Sequence, residues 1–257
     1  MLPTCMPEEA MTTCLRPLSV LSLLLFVVML RAADPAEDQA VQFIKAAGGS
    51  VDRSEADGPI TVVVLGKTEV QDSDLKVLHP LKALRVLSLQ ATPITDAGLK
   101  KLKPFKKLQE LDLRSTKVTG KGLKELAALT ELRWLSLSEA KISSADLKEL
   151  AKIESLEELN LSKTAIGGPE LKELRALERL RWLSLGNTKV TDADMKGVAT
   201  LEELRHLSLF GTVITDAGLK ELAPLKRLRL IDLGETRVTD AGLKWLDKTL
   251  PDCDVLK

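Results

Sequence analysis

The chain has 257 residues, 44% of them hydrophobic, so it is long enough and apolar enough to bury a substantial core. Its 37 Lys and Arg balance 37 Asp and Glu, which excludes the basic excess that a nucleic-acid or anionic-membrane surface requires. Cys5 and Cys14 sit near the N-terminus and Cys253 stands alone near the other end, so packing must supply the stability that disulfides or a cysteine-bound metal cannot.

Residues 18–30 (LSVLSLLLFVVML) form an uncharged apolar run of 13 residues between Arg16 and Arg31. The run is short for a bilayer span and suits the core of a signal peptide. Residues 1–33 therefore read as a leader, and the protein as exported to the periplasm, the cell envelope or the medium. Neither Leu30-x-Ala32 nor Arg31-x-Ala33 is a clean small-residue cleavage pair, so an uncleaved leader that anchors the chain in a membrane is the alternative. Residues 34–59 read as a cap helix and linker. The stretch 36–47 (AEDQAVQFIKAA) puts Val41, Phe43 and Ile44 on a helical face, and Gly48-Gly49 stops it.

From residue 60 a 24-residue pattern recurs without insertion, its units opening at Ile60, Leu84, Leu108, Leu132, Leu156, Leu180, Leu204 and Leu228. A fixed period of about 20 to 50 residues marks a solenoid, in which each unit buries its apolar face only against its neighbours. Within a unit the fourth position runs from Val63 and Leu87 to Ile231, and the sixth is leucine from Leu65 to Leu233. Apolar and polar residues alternate across positions three to seven, the period of a strand with one buried face. Later the spacing changes to three, as in Leu99, Leu102 and Phe105, which lays a stripe along a short helix. Thr-Asp pairs such as Thr95-Asp96 and Thr215-Asp216 fall between strand and helix and read as N-caps, while Pro80, Pro104 and Pro224 stop the helix.

The ninth position is threonine in every unit except the one holding Ala140. It lies where the chain leaves the strand and turns inward, so its hydroxyl is expected to satisfy buried backbone; a nucleophile is needed once and would not recur at every turn. At the C-terminus, residues 250–256 (LPDCDVL) put Val255 in phase with Leu87, which predicts a short closing strand with Cys253 as a small edge residue.

The pattern Leu-x-x-Leu-x-Leu-x-x-Thr-x-(Val/Ile)-Thr-Asp-x-Gly-Leu resembles the leucine-rich repeat family, in the 24-residue type of bacterial secreted proteins. It is similar also to the repeats of F-box leucine-rich proteins, which favour cysteine where this chain has threonine at the ninth position. The resemblance covers residues 60–257, as eight units and a closing strand, and implies an α/β leucine-rich repeat solenoid. That fold would be a right-handed arc, with a parallel sheet on the concave face and short helices on the convex face.

Catalytic chemistry is hard to find in this sequence. His79 and His206 are the only histidines and lie 127 positions apart, which argues against a histidine triad or a site with two imidazoles. Gly66-Lys67-Thr68 mimics the end of a phosphate loop, but Thr61 stands where the loop needs glycine. What remains is the outward third position: Val62, Val86, Glu110, Trp134, Glu158, Trp182, His206 and Leu230, with Phe210 joining from the seventh position of the His206 unit. Strands lie about 4.8 Å apart, so Trp134 and Trp182 should stand roughly 10 Å apart with Glu158 between them. A row of Arg85, Arg133, Arg181, Arg205 and Arg229 marks the strand entrance, with Glu131 and Glu203 as expected partners.

These features read as a non-catalytic, monomeric protein-binding module that takes a protein or peptide on Trp134, Glu158, Trp182, His206, Phe210 and Leu230, with no nucleic acid, cofactor or metal expected. The alternatives are a structural spacer of the cell envelope with no specific ligand, and an adaptor resembling F-box leucine-rich substrate receptors.

Overall fold

The computed structural model describes residues 34–56 and 58–257; the leader expected over residues 1–33 lies outside them. The described residues form one ten-stranded sheet whose strands follow sequence order. They are β1 (Ser50–Arg53), β2 (Ile60–Val64), β3 (Val86–Ser88), β4 (Glu110–Asp112), β5 (Trp134–Ser136), β6 (Glu158–Asn160), β7 (Trp182–Ser184), β8 (His206–Ser208), β9 (Leu230–Asp232) and β10 (Asp254–Leu256). From β2 to β10 every pair is parallel and in register, Val62 opposite Val86, Val86 opposite Glu110, and so on to Leu230 opposite Asp254. The fold is a leucine-rich repeat solenoid.

The 24-residue period fixes this register because each unit returns the chain to the same height. Backbone pairing also outlasts each short strand: the sixth-position amide donates to the next unit's fifth-position carbonyl, as Leu65 N does to Ser88 O at 2.8 Å. The eighth-position amide then donates to the next unit's seventh-position carbonyl, as Lys67 N does to Gln90 O at 2.7 Å. The eighth residues that make this second bond are left-handed in unit after unit: Lys67, Ala91, Ser115, Glu139, Lys163 and Asn187 have φ between 53° and 61°, Gly211 has 65°, and Glu235 of the last unit keeps the same turn at 55°. Such a conformation costs a non-glycine residue about 1–2 kcal/mol, which the inter-unit bond offsets.

Fourth- and sixth-position side chains are at most 1% exposed and meet the helical stripe in one continuous core. The spacing of three has its physical counterpart in the helices of the first six units, which are single α-turns and 3-10 segments such as Asp96–Leu99 followed by Lys100–Leu102; the last two units carry longer α-helices, Asp216–Glu221 and Asp240–Thr249.

The ninth-position hydroxyl donates to the sixth-position carbonyl of its own unit in all seven threonine units, over 2.5–2.7 Å. The Thr-Asp pair does more than cap. Thr119 Oγ1 accepts from Lys121 N at its own helix, yet the Asp96 carboxylate of the preceding unit accepts from Thr119 N at 2.7 Å and Thr119 Oγ1 at 2.6 Å. Asp72 with Thr95, Asp192 with Thr215, and Asp216 with Thr239 repeat this brace.

At the N-terminal end, the helix Pro35–Ala46 buries Ala40 and Ile44 against the first unit. The segment that reads as linker carries β1, which pairs antiparallel with β2, and Arg53 Nη1 reaches Glu37 Oε1 of the helix at 2.8 Å. At the other end β10 pairs with β9, and Cys253 is a core residue rather than an edge residue. Its amide donates to Leu250 O as Leu228 N does to Leu225 O, so Cys253 fills the place of an opening leucine. Burial pushes its thiol up to about 11.

Candidate functional site

The parallel register carries the third-position residues across the open face as a row: Trp134 opposite Glu158, Glu158 opposite Trp182, Trp182 opposite His206, and His206 opposite Leu230. Leu135, Leu159, Leu183 and Leu207 beside them are buried to within 1%, while Trp134, Trp182 and Leu230 are half-buried and Glu158 and His206 exposed. None of the five belongs to the leucine core. The alternation of a two-residue period decides this, since on a strand the residue before one that points inward must point out.

Phe210 lies four residues beyond His206, roughly 13 Å further along the chain at about 3.3 Å per residue. It is flanked by glycine in the same position of both neighbouring units, Gly186 and Gly234. A Cβ on Gly234 would lie 2.8 Å from Phe210 Cδ2, so the ring occupies the space which that glycine leaves open. Val213, 45% exposed, lies three residues further on and adds apolar surface at the strand exit.

The polar residues earlier on the face are largely spoken for. Arg114 donates through Nε and Nη2 to both oxygens of Asp112 and through Nη2 to Gln90 Oε1 at 3.2 Å. Glu139 accepts from Lys163 Nζ at 2.8 Å and from Ser115 Oγ at 2.6 Å, and these two partners hold its carboxyl below the usual range. One hydroxyl is left over: Ser136 Oγ, two residues beyond Trp134 on the same face, is fully buried with no hydrogen-bond partner among the described residues.

The arginine row finds partners other than the expected ones. Arg133 and Arg181 share Glu157, at 3.4 and 3.7 Å, and Arg229 pairs with Asp252 at 3.3 Å. Glu203 pairs with Arg227, two residues before Arg229, and Glu131 accepts from Gln109 at 3.4 Å. Among the described residues, Arg85 and Arg205 have no ion pair. Arg205, Arg227 and Arg229 together line a hollow of about 270 Å³ at the strand entrance, beside His206 and Leu230. Sequence reading placed Arg205 and Arg229 in a row but did not bring Arg227 to them, because Arg227 belongs to the preceding turn.

His79 lies elsewhere. Its ring meets Phe105 edge-on at 5.8 Å and its Nε2 sits 2.9 Å from Lys101 O, which pins two adjacent units together on the helical side. Lys67 of the loop-like Gly66-Lys67-Thr68 is one of the left-handed eighth residues, and Thr68 bonds Leu65 O. No three His, Cys, Asp or Glu side chains among the described residues converge on a metal-sized site.

A family description, Leucine Rich repeat, matches residues 106–127 and 203–223. No curated protein matches the chain by sequence. Among solved structures, internalin C2 from Listeria monocytogenes is similar at 26% identity and a TM-score of 0.61, over 86% of this chain and 92% of that one. A Leptospira interrogans LRR protein is similar at 25% identity and a TM-score of 0.54, over 70% of this chain and 50% of its own. The ectodomain of the Arabidopsis receptor kinase HAESA, solved with an IDA peptide hormone ligand, shares the fold at 18% identity and a TM-score of 0.53, over 79% of this chain and 42% of that one. No helix among the described residues is long and apolar enough to cross a membrane.

Proposed function

We propose that the protein is an exported, non-catalytic binding module that holds a protein or peptide on the open face of its sheet, across Trp134, Glu158, Trp182, His206, Phe210 and Leu230. The observation that supports this most is the row itself. Two of the three tryptophans stand in one column, two strands and so roughly 10 Å apart, clear of the core that the neighbouring leucines fill. Half-buried tryptophan, here flanked by Glu158 and His206, offers a large rigid contact area at little entropic cost, the kind of residue that dominates interface energies. The HAESA ectodomain shows the same fold accommodating a peptide.

Affinity capture from the native host, comparing the wild type with a Trp134→Ala, Trp182→Ala double variant, tests the reading. The partner should be lost from the double variant while its thermal midpoint stays nearly unmoved. Equal capture would remove this face from consideration and leave a spacer, or binding by the helical side, in its place. Export is tested separately: mass spectrometry of the mature protein should find an N-terminus between about residues 32 and 36.

A further inference from the structure

We propose that the helical side of the first three repeat units docks on an anionic phospholipid membrane, so that the protein rests on its lysine-rich back and keeps the open face free. The balanced charge of the whole chain conceals a local excess. Residues 96–107, the helical side of the second unit, carry Lys100, Lys101, Lys103, Lys106 and Lys107 against one acid, Asp96. The matching stretches of the first and third units, 72–83 and 120–131, add Lys76, Lys82, Lys121 and Lys124, and all of these lysines except Lys101 are exposed. The three stretches together hold nine lysines and five acids, whereas those of the next three units hold six basic residues and ten acids. The surplus is therefore confined to one end of the array.

The 24-residue register stacks these side chains in columns. Lys76, Lys100 and Lys124 occupy the seventeenth position of successive units, and Lys82 and Lys106 the twenty-third, on helical segments that pack against each other. The acids among them are occupied and leave a surplus of four positive charges. Asp72 and Asp96 accept from Thr95 and Thr119, Asp74 accepts from Gln71 N and Ser73 Oγ, and Glu131 accepts from Gln109. Of the lysines only Lys103 forms an ion pair among the described residues, with Glu125 at 2.7 Å. Lys103 first, and then Lys124 and Lys100, hold the Glu125 carboxyl below its ordinary value, so three ammonium groups surround one carboxylate.

The chemistry of the patch selects its partner. These stretches contain no arginine, and Phe105, their one aromatic residue besides His79, is buried. The patch thus lacks both the guanidinium fork that holds a phosphate or carboxylate in fixed geometry and the exposed ring on which bases stack. Lysine is instead a hydrated point charge on a flexible stem, suited to a diffuse negative surface that it feels within a Debye length. Position agrees with this. The basic units are those that follow the apolar run of residues 18–30 most closely, and Lys45 of the helix Pro35–Ala46, which packs on the first unit, is exposed as well. A leader of that kind delivers the chain to a membrane, and the basic units are the ones tethered nearest to it. Docking here is independent of any ligand on the open face.

Sedimentation of the mature protein with vesicles of phosphatidylcholine alone, and of phosphatidylcholine with about one-third phosphatidylglycerol, tests this. Binding should require the anionic lipid and fall away between about 0.1 and 0.5 M salt, as the Debye length shortens. A Lys100→Gln, Lys107→Gln, Lys124→Gln variant changes only exposed side chains, so its thermal midpoint should stay unmoved. Its vesicle binding should drop roughly a hundredfold, at about fivefold for each lysine near an anionic surface. The comparator Lys148→Gln, Lys172→Gln, Lys196→Gln alters the net charge equally, at exposed seventeenth positions of the next three units, and should bind within about twofold of the wild type. Equal binding to neutral vesicles, an equal loss in the comparator, tighter binding of a DNA duplex than of the anionic vesicles at the same salt, or no sedimentation at millimolar lipid would each overturn the proposal. So would loss of vesicle binding in the Trp134→Ala, Trp182→Ala variant, which would move the lipid contact to the open face; retained binding there, whatever the outcome of partner capture, supports two separate surfaces.

Discussion

Thr116 illustrates how a single side chain contributes in this fold. Its hydroxyl, almost wholly buried, donates to Leu113 O at 2.7 Å, and the same carbonyl also accepts Thr116 N at 3.3 Å. Removing the hydroxyl does not orphan the carbonyl, and the chain itself demonstrates this at Ala140, whose amide alone serves Leu137 O at 3.0 Å. Thr116→Val should therefore cost only the net worth of one hydrogen bond, about 0.5–1.5 kcal/mol in urea unfolding, rather than the larger penalty of a stranded polar group. An unchanged midpoint would mean that the hydroxyl is better served by solvent. Cys253 makes the complementary case, a buried thiol whose Sγ donates only a long hydrogen bond, to Asp254 O at 3.6 Å. With its thiol pushed up to about 11, only about one molecule in a thousand is thiolate at pH 8. Native protein should resist iodoacetamide at that pH and react within minutes once unfolded in urea; rapid native labelling would show that the C-terminal strand does not cover it.

The brace between aspartate and threonine belongs to the element, since it joins one helix start to the next. Hydrogen bonds first from the Thr239 hydroxyl and then from the Thr239 amide hold the Asp216 carboxyl below its ordinary value of 3.8. A lowered folded value means that the brace is fully present above the unfolded value and is lost as pH falls through the folded one. The stability gap between wild type and Asp216→Ala should thus be constant near neutrality and close below about pH 3.8, as read from denaturation midpoints across the acid range. A gap that persists at pH 2, or is absent at pH 7, would refute the brace. The strands, their register and the helical stripe were legible in the sequence because each follows a local period, two or three residues repeated every 24. The brace was not, because a carboxylate that reaches the next unit, 23 residues on, uses the same Thr-Asp pair as an ordinary cap. β1 escaped notice for a different reason: Ser-Val-Asp-Arg is short and charged, and only the waiting edge of β2 makes it a strand. The outward row could be read from the two-residue period, whereas the buried Ser136 hydroxyl and the meeting of Arg227 with Arg205 depend on packing between turns.

A solenoid is a one-dimensional stack, so its ends carry apolar surface that no neighbouring unit covers. The two ends here are closed unequally. At the N-terminal end Ala40 and Ile44 are fully buried, their helix packed on β1 and on the 3-10 helix Asp74–Leu78 of the first unit, and the edge of β2 pairs with β1. At the C-terminal end Val255 stands in register with Ile231, yet it is 36% exposed where every earlier fourth-position residue is at most 1%. Ile44→Ala, outside every repeat, should therefore cost about 2–5 kcal/mol, as a core deletion does. Val255→Ala should cost well under half of that, because much of its surface is already in water. Local opening should follow the same asymmetry. In native-state hydrogen exchange the amides of β10 and then β9 should open first, protection should rise towards β5, and β2 should stay nearly as protected as the middle. Exchange at β2 as fast as at β10 would show that the helix and β1 do not seal their end. The consequence reaches the open face, since opening β10 also releases Asp252 from Arg229 and loosens the last strand beside Leu230. A ligand seated on β7 to β9 should then slow exchange at β9 far more than at β2, a difference that a ligand on the helical side would not produce.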